Sequence, residues 1–274
     1  MPYATIPSGK VFYSDLPSSI SPPRATLLLH HGLGSTHAFY RPIIPFLTSA
    51  PYNYRCITYD AISCGLSAIA TTPQSIHTLA QDAMDLLDAL GVLEEENVVF
   101  VGHSIAGVVA AELAATRGAE QFAGVVMLGP VLPGGETIRE TFSTRIKTVE
   151  KQGMEGLADT IPTSATGKKA TSLMHAFIRS LVLSQKAEGY VSMCKVVAGA
   201  EPPAYGDVRI PTLLVAGDED KSAPLGGCET VFERMGGEKG MEVMKGVGHW
   251  FCVEDGEETV RLIRVFVEGL LKDG

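Results

Sequence analysis

The chain has no run of basic residues, no uninterrupted apolar stretch long enough to cross a bilayer, no paired cysteine spacing and no N-x-S/T sequon. Each absence removes a class of function. Lys and Arg number 22 against 31 Asp and Glu, for a net charge of −9. Such a surface repels phosphate backbones and anionic headgroups, which argues against nucleic acid and membranes as partners. Gly, Pro or charge interrupts every apolar segment before the roughly 20 residues that a spanning helix needs. The five cysteines (Cys56, Cys64, Cys194, Cys228 and Cys252) are odd in number and widely scattered. That pattern fits neither a zinc site nor a disulfide framework. The opening residues, MPYATIPSGK, lack the apolar core of a signal peptide. The expectation is a cytoplasmic protein; a homodimer is one arrangement open to it.

What is present is the patterning of a large domain with a modest insertion. The chain has 274 residues, 45% of them apolar and 19% charged, as in ordinary compact enzymes. Short β-rich apolar runs alternate with longer helical ones, the signature of a parallel sheet with helices on both faces. The runs are Ala25 to His31, Tyr54 to Asp60, Asn97 to His103, Gly124 to Gly129, Pro211 to Gly217 and Gly240 to Gly246. Helical spacing marks Ser75 to Leu90, Ser104 to Arg117 and Glu257 to Leu271, with Gly91 closing the first. Between Pro130 and Pro203 the alternation stops and only helical patterns remain: Glu136 to Gln152, Lys168 to Gln185 and Ala187 to Ala198. Residues 132–201 therefore read as a helical cap, between core segments 1–131 and 202–274.

The chemistry concentrates at four loops. In VVFVGHSIAG a β-run ends at Gly102, Ser104 follows, and a small-residue helix begins at once. A serine on such a turn is forced outward, and the positions two before and two after it must be small; Gly102 and Ala106 qualify. Acyl transfer needs donors for a developing oxyanion. The N–H of Ile105 is one, and the N–H of Leu33, in the loop LLLHHGLGS, is the other. A serine also needs a base, and His249 in KGVGHW follows the last strand-like run. Of the other histidines, His103 points elsewhere, and His30 and His31 read as packing or loop-ordering residues. The base needs a carboxylate: LLVAGDEDKSAP offers Asp220, with Asp218 as the fallback. The order Ser, Asp, His suits a strand–loop–helix hydrolase.

Taken in order, HHGLGS, YDAISCGLS, GHSIAG, the helical insertion, GDEDKSAP and GVGHW resemble the serine-nucleophile α/β-hydrolase superfamily over nearly the whole chain. The resemblance implies an α/β-hydrolase fold, a mostly parallel central sheet flanked by helices with a helical cap after the sixth strand. Within it, Arg145 to Asp159 and Tyr190 to Gly199 look similar to the cap of 3-oxoadipate enol-lactone hydrolases. One departure stands out: where the pattern usually reads D-x-x-G, Ser63 occupies the glycine position after Asp60.

The resulting expectation is a serine hydrolase of a small to medium hydrophobic ester or lactone. It works through Ser104, His249 and Asp220 on a small-molecule partner, with no metal and no cofactor. Phe39, Tyr40, Leu132, Met154, Phe177, Leu181, Met193 and Trp250 are candidates for the apolar pocket lining, with core packing as their alternative role. A dianionic substrate would call for a pocket arginine, for which Arg145 and Arg179 are available. A carbon–carbon bond hydrolase on the same triad, or a ligand receptor with little turnover, stays open as an alternative.

Overall fold

The structure is a computed structural model and describes residues 2–92, 97–116 and 120–273. Arg117, the expected end of one helix, lies outside the described residues.

The chain opens with a hairpin, β1 (Tyr3–Ile6) and β2 (Gly9–Leu16), followed by β3 (Thr26–His30), α1 (Ile44–Thr48) and β4 (Arg55–Tyr59). Next come α2 (Ile76–Ala89), β5 (Val98–His103), α3 (Ile105–Ala115) and β6 (Gly124–Leu128). Five helices then intervene before the sheet resumes: α4 (Glu136–Gln152), α5 (Glu155–Ala158), α6 (Ile161–Ser164), α7 (Ser172–Leu183) and α8 (Ala187–Ala198). The chain closes with β7 (Thr212–Gly217), α9 (Leu225–Arg234), β8 (Lys239–Met244), α10 (Phe251–Glu254) and α11 (Gly256–Asp273).

The eight strands form one sheet in the order β1-β2-β4-β3-β5-β6-β7-β8. β1 and β2 pair antiparallel, as do β2 and β4; every other pairing is parallel. The N-terminal hairpin was not read from the sequence. Its strands are largely half-buried or exposed, so they lack the continuous apolar run that marks the inner strands.

In β3, β5, β6 and β7 every residue is buried. Alternate side chains go to opposite faces, as strand geometry requires. Leu28, Phe100, Met127 and Leu214 join the core under α2 and α3. Leu27, Val101, Leu128 and Val215 join the core under α1 and α11.

Local chemistry sets the helix ends. Ser75 and Thr78 form a reciprocal capping box at the start of α2. At its end, Val92 and Gly91 donate to the carbonyls of Leu87 and Asp88, a Schellman pair. Among the inserted helices, α4 matches its expected span, whereas α7 starts at Ser172 rather than Lys168. The Thr171 side chain accepts from the N–H of Met174 and so fixes the helix start there. Among the described residues no helix is long and apolar enough to cross a membrane.

Candidate active site

The turn from β5 into α3 carries Ser104 with φ 59° and ψ −118°. That left-handed backbone is unusual for a residue with a Cβ and marks stored strain. Its neighbours permit it. A Cβ on Gly102 would fall 2.1 Å from the carbonyl oxygen of Ala106, and one on Gly32 would fall 2.8 Å from the Cβ of Ser104.

His249 sits in the loop between β8 and α10, with its Nε2 2.8 Å from Ser104 Oγ. Its Nδ1 lies 2.7 Å from Asp220 Oδ2. A carboxylate only accepts, so Nδ1–H donates to Asp220 and Nε2 is left to accept from the serine hydroxyl. Asp220 is held by its other oxygen, which accepts from the N–H groups of Ser222 at 2.7 Å and Ala223 at 2.8 Å. All three side chains are buried. Asp218 serves the loop instead: its Oδ1 accepts from the N–H of Gly246 at 2.6 Å. That bond, with Lys245 and Lys168 nearby, holds its carboxyl below the usual range despite an opposing desolvation cost.

The other histidines brace this arrangement. His103 stacks on Phe39 with ring centroids 4.3 Å apart, and its Nε2–H donates to the carbonyl of His249 at 2.7 Å. Burial, reinforced by the nearby His249, holds its pKa well below the ordinary value, so the ring is neutral. His31 donates from Nδ1 to the carbonyl of Gly32 at 2.8 Å and accepts the N–H of Ala61 at Nε2. It thereby orders the loop that carries Leu33. His30 reaches the carbonyl of His31, and burial drives its pKa down to about 3.

Asp60 accepts from the backbone and ring of His37, each at 2.7 Å, and from the N–H of Leu66. Ser63, in the expected glycine place, has φ 75°. Its hydroxyl donates to Gln74 and accepts the N–H of Ala70, local bonds that offset the strain of a side chain there.

The N–H groups of Leu33 and Ile105 donate to no protein acceptor among the described residues. Both residues border a cavity of about 450 Å³ that also reaches Ser104, His249 and Trp250. Its far wall comes from the inserted helices, chiefly Thr137, Ile138, Thr141, Phe142 and Arg145 of α4. Of the predicted lining, Trp250 borders this cavity and seven others do not. Phe39 lies beneath His103, and the Tyr40 hydroxyl donates to the carbonyls of His30 and Val101. Met154 and Met193 are buried in one core cluster, and Leu132 packs against it. Leu181 is buried in the other, and Phe177 packs against that one. Arg145 borders the cavity, whereas Arg179 pairs with Asp159 at an exposed site.

A residue that sequence reasoning missed is Glu254. Its buried carboxylate accepts from Gly248 at 2.9 Å, Trp250 at 2.9 Å and Gly167 at 2.7 Å. Among the described residues no three His, Cys, Asp or Glu side chains group as a metal site.

The alpha/beta hydrolase family model matches residues 27–262, from β3 into α11. The chain belongs to the alpha/beta hydrolase family. This hydrolase is similar to strigolactone esterase D14 of Arabidopsis thaliana, 23% identical over 238 residues, covering 81% of this chain and 85% of that protein. It is also similar to 3-oxoadipate enol-lactonase 1 of Acinetobacter baylyi, 25% identical with 89% of each covered. The crystal structure of the enol-lactonase from Burkholderia xenovorans superposes with a TM-score of 0.87 at 21% identity, covering 97% of this chain and 100% of that one.

Proposed function

We propose that this hydrolase cleaves a carboxylic ester or lactone of a small molecule through an acyl-enzyme on Ser104. The observation that carries the reading is the continuous relay from Ser104 Oγ to His249 Nε2 at 2.8 Å and from His249 Nδ1 to Asp220 at 2.7 Å, beside the cavity. The family membership and the curated relatives named for esterase and lactonase activity support it.

In the proposed reaction, Ser104 Oγ bonds to the carbonyl carbon while its proton passes to His249 Nε2. The negative charge that develops on the carbonyl oxygen is met by the N–H groups of Leu33 and Ile105, which have no protein acceptor to give up. Asp220 holds the imidazole in the working tautomer and stabilises the imidazolium. As the carbon–oxygen bond breaks, the alkoxide or enolate takes the proton from His249. Water then adds to the acyl group, giving its proton to His249, and Ser104 leaves with that proton. In a lactone both ends remain on one product molecule. The apolar body of the substrate rests on Val131, Ile138, Phe142 and Trp250.

The test is turnover of p-nitrophenyl esters and of five- to seven-membered lactones by the purified protein, beside Ser104→Ala. The variant is expected to lose activity by on the order of a thousandfold or more. Wild-type turnover that survives in Ser104→Ala removes the serine mechanism, and an inactive wild type removes the hydrolase reading.

A further inference from the structure

The cavity beside Ser104 has a charge opposite to that of the chain. The protein carries a net −9, yet Arg145 and Lys221 border the cavity and no Asp or Glu does among the described residues. Arg145 is the inner of the two: it is half-buried, whereas Lys221 is exposed. Thr137, Thr141 and Arg145, four residues apart along α4, all border the cavity, so one polar stripe of this helix faces Ser104. The guanidinium of Arg145 lies over the ring of Phe142, 5.0 Å from its centroid, a contact that orients its planar fork.

Four other cations of the inserted helices and their loops are paired with carboxylates. Arg139 pairs with Glu136, Lys168 with Glu219, Lys169 with Asp255 and Arg179 with Asp159. Arg145 has no carboxylate partner among the described residues; its neighbours there are the buried Tyr190 hydroxyl and Cys194 thiol, both uncharged because burial raises their pKa values, so its charge is uncompensated. A half-buried guanidinium facing a cavity without a counter-charge is a site for an anion that arrives with the ligand.

We propose that Arg145 recognises a carboxylate on the substrate, so that the ester or lactone cleaved at Ser104 belongs to an amphiphilic acid with its carboxylate remote from the scissile carbonyl. The assignment rests on the hydrolase reading above. It gives the cavity two ends: the reacting carbonyl lies between Ser104 and the N–H groups of Leu33 and Ile105, and the carboxylate lies against α4. Arg145 then acts as a specificity residue that does not touch the reacting atoms.

The test compares two esters of equal chain length, p-nitrophenyl heptanoate and mono-p-nitrophenyl heptanedioate, in which a carboxylate replaces the terminal methyl. The readout is the ratio of their kcat/KM values in wild type, Arg145→Met and Arg145→Lys. Wild type is expected to prefer the carboxylated ester, and Arg145→Met to lower that preference by on the order of ten- to a hundredfold, as for loss of a charged hydrogen bond. Arg145→Lys is expected to fall between them. A wild type without the preference, or a ratio unmoved in Arg145→Met, overturns the assignment while leaving the hydrolase reading intact. If neither these esters nor the lactones above are cleaved, the hydrolase reading fails. Calorimetric binding of mono-p-nitrophenyl heptanedioate to Ser104→Ala then tests Arg145 alone. Weaker binding after adding Arg145→Met supports the anion site, and equal binding overturns it.

Discussion

The main-chain N–H of His249 donates to the carbonyl oxygen of Ala165 across 2.8 Å. This bond joins the loop of the proposed base to the loop that follows α6. The two loops meet backbone to backbone, since a Cβ on Gly248 would fall 2.6 Å from the nitrogen of Gly167. The carboxylate of Glu254 accepts N–H groups from both sides of the seam. The inserted helices therefore help to position His249 as well as covering it.

Glu254→Gln replaces one acceptor oxygen with a donor, and at least one of the three N–H groups loses its bond. The side chain is buried, so the variant is expected to lose about 1–3 kcal/mol of stability. On the proposed reaction, kcat is expected to fall by roughly tenfold or more with a smaller change in KM, because misplacement of the base weakens the transition state more than ground-state binding. Denaturant unfolding and steady-state kinetics check the two expectations separately. Unchanged kcat alongside reduced stability would restrict Glu254 to a purely structural role.

His103→Phe preserves an aromatic ring against Phe39 but leaves the carbonyl of His249 without its buried donor. The expected cost is about 1–3 kcal/mol, together with a lower kcat. Because the wild-type ring is held neutral by burial, it contributes no charge to the site at neutral pH. Activity equal to wild type would show that the His249 carbonyl needs no anchor.

Asp82 on α2 is buried, and burial raises its pKa from 3.8 to about 6, opposed by a bond from Ser8 and reinforced by Asp85. In the folded state this carboxyl keeps its proton between about pH 4 and pH 6, where the unfolded chain has released it. Stability at this site therefore falls as pH rises through that window. Asp82→Asn is expected to gain on the order of 2 kcal/mol over wild type at pH 7.5, and little or nothing at pH 4. Urea unfolding of both proteins at the two pH values reads the difference directly. A gain of the same size at both would assign the effect to packing rather than to ionisation.

The strand and loop positions of Ser104, Asp220 and His249 were legible in the sequence, because each requires a distinct local signal: small residues around a turn, a carboxylate after an apolar run, and a histidine between the last strand-like run and the final helix. The inner strands were equally plain, being apolar on both faces. What faces the cavity was legible only in part: Leu33, Ile105, Trp250 and Arg145 border it, and the other apolar candidates do not. The lining was sought among large apolar side chains such as Met154, Leu181 and Met193, but these pack into the core clusters. Beside Arg145, the wall includes Thr137 and Thr141 of α4. Helical periodicity distinguishes two faces, yet a polar stripe reads the same toward solvent as toward a cavity. Glu254 was hidden for a similar reason: a glutamate in an acidic run with Asp255, Glu257 and Glu258 carries no sign that three backbone N–H groups converge on it.

The proposed mechanism requires Ser104 to be an activated nucleophile. The most direct measurement is labelling of the purified protein with a fluorophosphonate probe, followed by peptide mass spectrometry of wild type, Ser104→Ala and His249→Ala. One probe per chain is expected, attached to the peptide containing Ser104, with labelling abolished in Ser104→Ala and slowed by on the order of a thousandfold in His249→Ala. An unlabelled Ser104 in wild type, or labelling as fast without His249 as with it, would rule out a serine nucleophile activated by His249.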